Sequence, residues 1–338
     1  MPTPCGFRLC KTLAMPGRPV LPEWSGERLV YVSPGNLLGK LGYRSISGRS
    51  GVPPPEAELS RRLGELTPLQ DGEPASERRD IGGAGAASTW LKVRAAELGA
   101  DLVGITRVDP QYVYDGVDLG HAYAIVFAIA MDYEGELLKV PREESHAEYL
   151  RVYEALSRLG VTLGAEIRAA GYAARAHSVR DEQIAMLPHA RNAGLGELGK
   201  HGSLINRELG CSFRIGVVTT ELELVEDSVR DEGIQDFCRS CRMCVSYCPG
   251  DAISDEMDVV RGTERWIVDT ERCTPYFAAH YACGICLQVC PINAKAFGGR
   301  HRDAYVQTMQ GLEPAELRER LSVSVPAARV EAAAQAGG

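Results

Sequence analysis

Two rhythms of hydrophobic and polar positions run along this chain. Between His146 and Ala170, apolar side chains return every three or four residues: Tyr149, Val152, Tyr153, Leu156, Leu159, Leu163 and Ile167 share one face. The spacing predicts a long amphipathic helix, which Gly171 ends. Ala122–Met131 is instead nearly continuous in apolar residues and predicts a strand buried on both faces. At ten residues it is about half as long as a membrane span requires. Ser88 predicts the cap of a helix through Leu98, which Gly99 ends. Leu102–Ile105 reads as a short strand and Asp109-Pro110 as a turn. Ala185–Ala193 reads as a short helix despite Pro188, and Ser203–Ile205 and Arg214–Thr220 read as strands.

The ends are less patterned. Leu29–Val32 predicts a short strand and Ser33–Asn36 a turn. Residues 46–87 are rich in Gly, Pro, Ser and charge and read as a linker or long surface loop. Pro326–Gly338 is Ala/Gly-rich and reads as a frayed end. The predicted organisation is a segment and linker at 1–87, a core at 88–230, a cysteine-rich domain at 231–297 and a tail at 298–338. Strands and helices interleave through the core, so the fold class is α/β (α+β).

Composition narrows the picture. The 338 residues allow roughly two domains, and 45% hydrophobic with 24% charged residues is a globular balance. A net charge of −8 argues against nucleic acid as a partner, since such binding rests on neutralising phosphates. Met1–Val20 has neither an apolar signal-peptide core nor a twin arginine. The expectation is a cytoplasmic protein with no membrane partner.

The most specific chemistry lies between Cys238 and Pro291. Cys238, Cys241, Cys244, Cys248 and Pro249 form the run C-x2-C-x2-C-x3-C-P. Cys273, Cys283, Cys286, Cys290 and Pro291 repeat it with one widened gap. This is the run that bacterial ferredoxins use for two [4Fe–4S] clusters, in which the fourth cysteine of each run serves the other cluster. The expected sets are Cys238, Cys241, Cys244 with Cys290, and Cys273, Cys283, Cys286 with Cys248. Structural zinc prefers two C-x2-C pairs, and disulfides need an oxidising compartment. Cys5, Cys10 and Cys211 are left over and make no disulfide framework.

Gly194-Leu195-Gly196-Glu197-Leu198-Gly199 matches G-x-G-x-x-G, but a helix-like segment precedes it and no long helix follows. The context of a dinucleotide site is absent. The glycines still imply close backbone approach, to a neighbouring chain segment or to a flat ligand. Lys200 and His201 follow them and are candidates to contact a cofactor's phosphate or amides.

Trp90–Tyr114, Ile125–Glu134, Pro188–Arg214 and the double cysteine run together resemble the reductive dehalogenases, over about residues 88–297. Epoxyqueuosine reductases are a more distant resemblance. The first family implies a nitroreductase-like core holding cobalamin without its lower nucleotide ligand on cobalt. It also implies two [4Fe–4S] clusters relaying electrons to cobalt, a halogenated small-molecule substrate, and an external donor such as a ferredoxin, flavodoxin or reductase. In this sequence the proton-donating tyrosine matches Tyr153, with Tyr149 as second choice, and its basic partner matches Arg214. Asp181 falls near a polar position of the family, and an aspartate there is closer to the proton donor of epoxyqueuosine reductases. Gly194, Leu195, Gly196, Lys200 and His201 are the candidate corrinoid contacts.

The chain departs from the pattern in places. Gly210-Cys211 replaces the Gly-Pro of dehalogenases. Leu198 stands where epoxyqueuosine reductases carry a tryptophan, and no twin-arginine export signal is present. The resemblance therefore implies a small, divergent, cytoplasmic member.

The borrowed pair makes chemical sense. Removing halide takes two electrons and a proton, and tyrosine is a poor acid, with a pKa of about 10. A neighbouring guanidinium favours the phenolate and eases release of the proton. By periodicity alone Tyr153 is a core residue, and Arg214 in its apolar run is a surface or ion-paired cation. Cys211 reads either as a buried thiol or as a group near substrate. His177, His189 and His201 read as polar residues near a pocket, not as cobalt ligands. Three other functions stay open: an epoxyqueuosine-reductase-like enzyme, an electron carrier without catalysis, and a reductase that keeps another protein's corrinoid reduced.

Overall fold

The computed structural model describes residues 21–25, 28–32, 54–132, 143–177, 182–260 and 263–296. Two short strands, β1 (Leu21–Ser25) and β2 (Arg28–Val32), pair antiparallel. The next strands are β3 (Leu102–Arg107), β4 (Tyr123–Ala130), β5 (Ala174–His177), β6 (Glu197–Leu198), β7 (Leu204–Ile205) and β8 (Phe213–Thr220). The central sheet has four antiparallel strands in the order β3-β4-β8-β5, and β6 and β7 form a separate small hairpin.

The sheet is covered on both faces, as the apolar run at 122–131 predicts. Side chains of a strand alternate between faces. Tyr123, Ile125, Phe127 and Ile129 enter one core, and Ala124, Val126 and Ala128 enter the other. Two helices cover the first face: α2 (Ala84–Glu97), preceded in the chain by α1 (Pro54–Leu66), and α3 (Glu143–Ala169). The predicted stripe of α3 is the buried one, with Val152, Leu156, Leu159, Leu163 and Ile167 in the core. A fully buried side chain of this size stabilises the fold by about 1.5–3 kcal/mol. The second face packs on α4 (Met186–Asn192) and on Ile184, Leu195 and Leu204. None of the helices described is long and apolar enough to cross a membrane.

Two local expectations change. Ser88 is not a helix cap. It lies inside α2, which starts after Gly83, and its hydroxyl donates to the Ala84 carbonyl while accepting the Val225 amide. Nor is all of 46–87 a linker. Leu59 and Leu63 of α1 are buried, and Arg62 pairs with Glu154 of α3 at 3.1 Å. The chain after α1 then runs along the end of α3, with Ala75 N–H on the Arg168 carbonyl at 2.8 Å and Arg79 N–H on the Ala170 carbonyl at 2.9 Å. Gly171, at φ +87°, is where that strap passes closest, and a side chain there would strike the Glu77 carbonyl. Local composition missed this because few of these residues are apolar; the backbone hydrogen bonds hold the strap. The turn at 33–36 and the end at 326–338 lie outside the described residues.

At the far end of β5 and β8 a small polar group is sealed into the core. His177 is 2% exposed. Its Nδ1 accepts the Gln183 amide at 3.2 Å, so Nε2 carries the proton and donates to Thr219 Oγ1 at 2.8 Å. The Thr219 hydroxyl is then free to donate to His121 Nδ1 at 2.9 Å. Burial holds His177 well below the usual histidine pKa, and lowers His121 as well. The fold therefore favours the neutral ring, and this stability is present above the unfolded pKa of about 6.5 and lost as pH falls below it. Thermal unfolding at pH 7 and pH 5.5 checks this. His177→Gln should flatten the acid-side loss, each pH unit below 6.5 costing the native protein up to about 1.4 kcal/mol per buried ring. Equal slopes for both proteins would contradict it.

Candidate functional site

Beyond β8 the chain builds a cysteine-rich unit from α5 (Ile234–Ser240), α6 (Met243–Ser246), β9 (Ile253–Val260), β10 (Thr263–Val268), α7 (Thr270–Ala279), α8 (Ile285–Gln288) and α9 (Pro291–Ala296). Four of these helices carry one thiol each: Cys238 on α5, Cys244 on α6, Cys273 on α7 and Cys286 on α8. A cavity is lined by Cys238, Cys241, Cys244 and Cys290, together with Lys200, His201 and Phe237. That is the first expected set, with the fourth cysteine supplied by the other run. Cys273, Cys283 and Cys286 face one another and Cys248 in the same way. Cys244 and Cys286 are near enough to repel each other's charge, so the two sets adjoin.

Burial pushes the Cys244 and Cys273 thiols up to about 12 and Cys283 up to about 11. Bound iron would supply charge that favours these sulfurs as thiolates. Cys290 behaves differently. The Cys211 thiol, and after it the His201 ring, hold it well below the usual thiol range against its burial.

The widened gap of the second run contains α7 and then an unusual turn. Tyr281, Ala282, Cys283 and Gly284 have φ of +49°, +64°, +48° and +84°. Left-handed conformation costs a non-glycine residue about 1–2 kcal/mol. The turn aims the Gly284 and Ile285 amides at the Cys283 sulfur, where they favour the thiolate. It also sets Tyr281 against His146, ring centroids 6.5 Å apart, one turn of α3 before Tyr149.

Next to this second set, Arg214 of β8 reaches the face of α3. Its Cζ lies 4.9 Å from the Tyr149 ring centroid and 5.7 Å from that of Tyr153. The two tyrosines are four residues apart, so consecutive turns of α3 present both rings to one guanidinium. Burial works against the Arg214 charge, but the phenols of Tyr153 and Tyr149 more than offset it and its pKa is raised. Tyr149 is 3% exposed, and burial pushes its pKa up, with Arg214 opposing. The next influences on Tyr149 are Cys286 and Cys283, which places the pair beside the second cysteine set. Tyr149 Oη, Arg214 Nε and Ser212 Oγ are enclosed and have no hydrogen-bond partner among the described residues.

Other sequence candidates are placed differently from the expectation. Lys200 is 1% exposed, bonded to Asp255 at 2.6 Å, and its ammonium lies 4.6 Å from the Trp266 ring centroid. His201 lies against Cys290. Both line the first cysteine set, where their side chains are engaged. A side chain at Gly194 would strike the Ser228 carbonyl, and one at Gly196 the Ile205 carbonyl. The glycines thus answer to neighbouring chain, and Leu195 is buried in the core. Gly194 and Leu195 also border a cavity of about 360 Å³ whose lining includes neither Tyr153 nor Arg214. Asp181 lies outside the described residues. Sequence reading missed the contact of Cys211 and His201 with Cys290, for which no local pattern exists.

Comparison with known proteins bears on the cysteine unit and on the core. Residues 237–294 match the family model of the 4Fe-4S dicluster domain. A tetrachloroethene reductive dehalogenase of Desulfitobacterium hafniense is 33% identical, over 61% of this chain and 48% of the relative. An epoxyqueuosine reductase of Leadbetterella byssophila is 32% identical, over 32% of this chain and 36% of the relative. A solved reductive dehalogenase, whose structure is described as suggesting a mechanism for B12-dependent dehalogenation, superposes with a TM-score of 0.65 at 28% identity. That match covers 77% of this chain and 42% of the solved one. The chain spans about half the length of the curated dehalogenases it matches.

The crossed grouping of cysteines is directly testable. After anaerobic reconstitution with iron and sulfide, Cys241→Ala combined with Cys290→Ala should keep about half the iron of the unsubstituted chain, because both residues serve one cluster. Cys241→Ala combined with Cys248→Ala should lose nearly all of it. The reverse result would mean that each run holds its own cluster. The chain thus carries a 4Fe–4S dicluster domain on an α/β core similar to that of the reductive dehalogenases.

Proposed function

We propose that this chain is the catalytic core of a corrinoid-dependent iron–sulfur oxidoreductase that removes halide from an organohalide. The balance is R–X plus two electrons and one proton, giving R–H and X⁻. One observation carries the reading: Arg214 is set against Tyr149 and Tyr153 directly beside the second cysteine set. A proton source held by a cation thus adjoins an electron source.

The residues have separable roles. Tyr153 is half-buried and donates the proton, and Arg214 stabilises the phenolate that remains. Tyr149 is sealed in the core and positions Arg214 from the other side. The first and second cysteine sets would hold the outer and inner clusters, which when bound would supply electrons drawn from a ferredoxin, flavodoxin or reductase. A bound corrinoid would supply the metal centre at which the carbon–halogen bond is reduced. The enclosed, unpartnered Tyr149 Oη, Arg214 Nε and Ser212 Oγ fit a place where a further polar group is seated, since each such atom left bare costs about 1–3 kcal/mol. Tyr153, Arg214 and Ser212 would border that group.

A second reading is an epoxyqueuosine-type reductase, supported by sequence similarity to that enzyme and by Asp181 as an alternative acid. The net charge of −8 gives no help in binding an RNA backbone.

Anaerobic reconstitution with iron, sulfide and cobalamin, followed by halide release from tetrachloroethene and a haloaromatic panel, tests the proposal. Tyr153→Phe should lower turnover by about 10²–10⁴-fold, the usual range for a lost proton donor. Arg214→Met should fall comparably and Tyr149→Phe less, with both clusters intact by EPR. Failure to bind cobalamin with both clusters in place would refute the reading. Under the second reading Asp181→Asn, not Tyr153→Phe, abolishes turnover, and the substrate is the modified base.

A further inference from the structure

We propose that the tip of the β6–β7 hairpin is a tuning cap for the first cluster, and that His201 raises that cluster's reduction potential through an N–H···S hydrogen bond to Cys290. The hairpin belongs to the α/β core and not to the cysteine domain. Its tip is a tight turn: the Gly199 amide bonds the Ser203 carbonyl at 2.8 Å and the Gly202 amide bonds the Gly199 carbonyl at 2.9 Å. The turn is pinned over the cysteine domain by Lys200, through its ion pair with Asp255 and its contact with Trp266.

The ring's donor follows from its surroundings. His201 Nδ1 accepts the Ser203 amide at 3.2 Å, so the proton is on Nε2. Nε2 is enclosed, with no hydrogen-bond partner among the described residues. A ring nitrogen of His201 and the sulfurs of Cys211 and Cys290 lie within 4.8 Å of one another, and all three residues are buried. The first set's cavity has both His201 and Cys290 on its wall. The acceptor that suits Nε2–H is therefore the Cys290 sulfur, which is anionic when it ligates iron. Cys211 stands on the same sulfur, although its single S–H also lies 3.5 Å from the Leu287 carbonyl.

A donor on a ligating sulfur withdraws charge from the cluster and favours its reduced form, so the potential rises. A buried site magnifies the effect. Main-chain amides serve both sets, from Lys200 on Cys238 and Ile292 on Cys290 as from Gly284 and Ile285 on Cys283, whereas the His201 ring lies on the wall of the first. A change at position 201 should therefore move one cluster and spare the other. This rests on the iron–sulfur half of the function proposed above and not on its corrinoid half.

The test is an EPR-monitored redox titration of the full chain, reconstituted with iron and sulfide and without corrinoid. Cys241→Ala, which removes the first cluster, identifies the second cluster's signal. His201→Phe should make the first cluster's one-electron reduction about tenfold less favourable, a fall of about 59 mV, with the second unmoved. His201→Gln keeps an N–H donor and should recover most of that shift. Two titrating clusters indifferent to His201→Phe, or both shifted equally, overturn the proposal. If His201→Phe fails to assemble the first cluster, His201→Ala replaces it, and equal potentials for His201→Ala and His201→Gln overturn it as well. An unsubstituted chain that takes up no cluster overturns the iron–sulfur assignment itself, which is a distinct result.

Discussion

Four sulfurs must meet around a body only a few ångströms wide, and this must happen twice within one short stretch of chain. Neither cysteine run can satisfy that alone if its fourth thiol serves the neighbouring cluster. The exchange of Cys248 and Cys290 ties the two runs into one unit, and the short helices between cysteines exist to aim sulfurs. The same demand explains the left-handed turn at Tyr281–Gly284. Its conformational cost is offset by two amides brought onto the Cys283 sulfur. Burial opposes most of these thiolates, and bound iron would add charge that favours them.

The cysteine unit is continuous with the α/β core. Cys244, Cys248, Ile285 and Val289 share a single apolar cluster with the buried stripe of α3. That continuity sets the second cysteine set against Tyr149. Arg214 then reads two turns of the same helix at once. A cation so enclosed persists because two phenols face it. Packing thus holds Arg214, its two tyrosines and the second cysteine set side by side.

Much of this layout was legible in the chain. Strict period governs a helix face or a strand, so the stripe of α3 and the two-faced β4 follow from which residues are apolar. Ligand spacing governs a metal cluster, so the eight cysteines and their crossed grouping follow from the two runs. What local pattern could not show is anything carried by contacts between distant segments. Ser88 has the chemistry of a cap but lies within a helix that begins at Ala84. The strap after α1 is polar in composition and is held by backbone hydrogen bonds to the end of α3. Lys200 and His201 follow a glycine motif that suggests a ligand loop, yet the hairpin delivers them to the first cysteine set.

The sequence by itself determined the main elements of the core, the two cysteine runs and the resemblance that singled out Tyr153 and Arg214. Periodicity and ligand spacing are properties of neighbours along the chain. Tertiary structure decided that Tyr149 joins that pair, that the pair lies beside the second cysteine set, and that His201 and Cys211 converge on Cys290. These are meetings of residues far apart in sequence. The physical reason is that packing of α3 against the sheet and the cysteine unit, not any local preference, sets which side chains share an enclosed space.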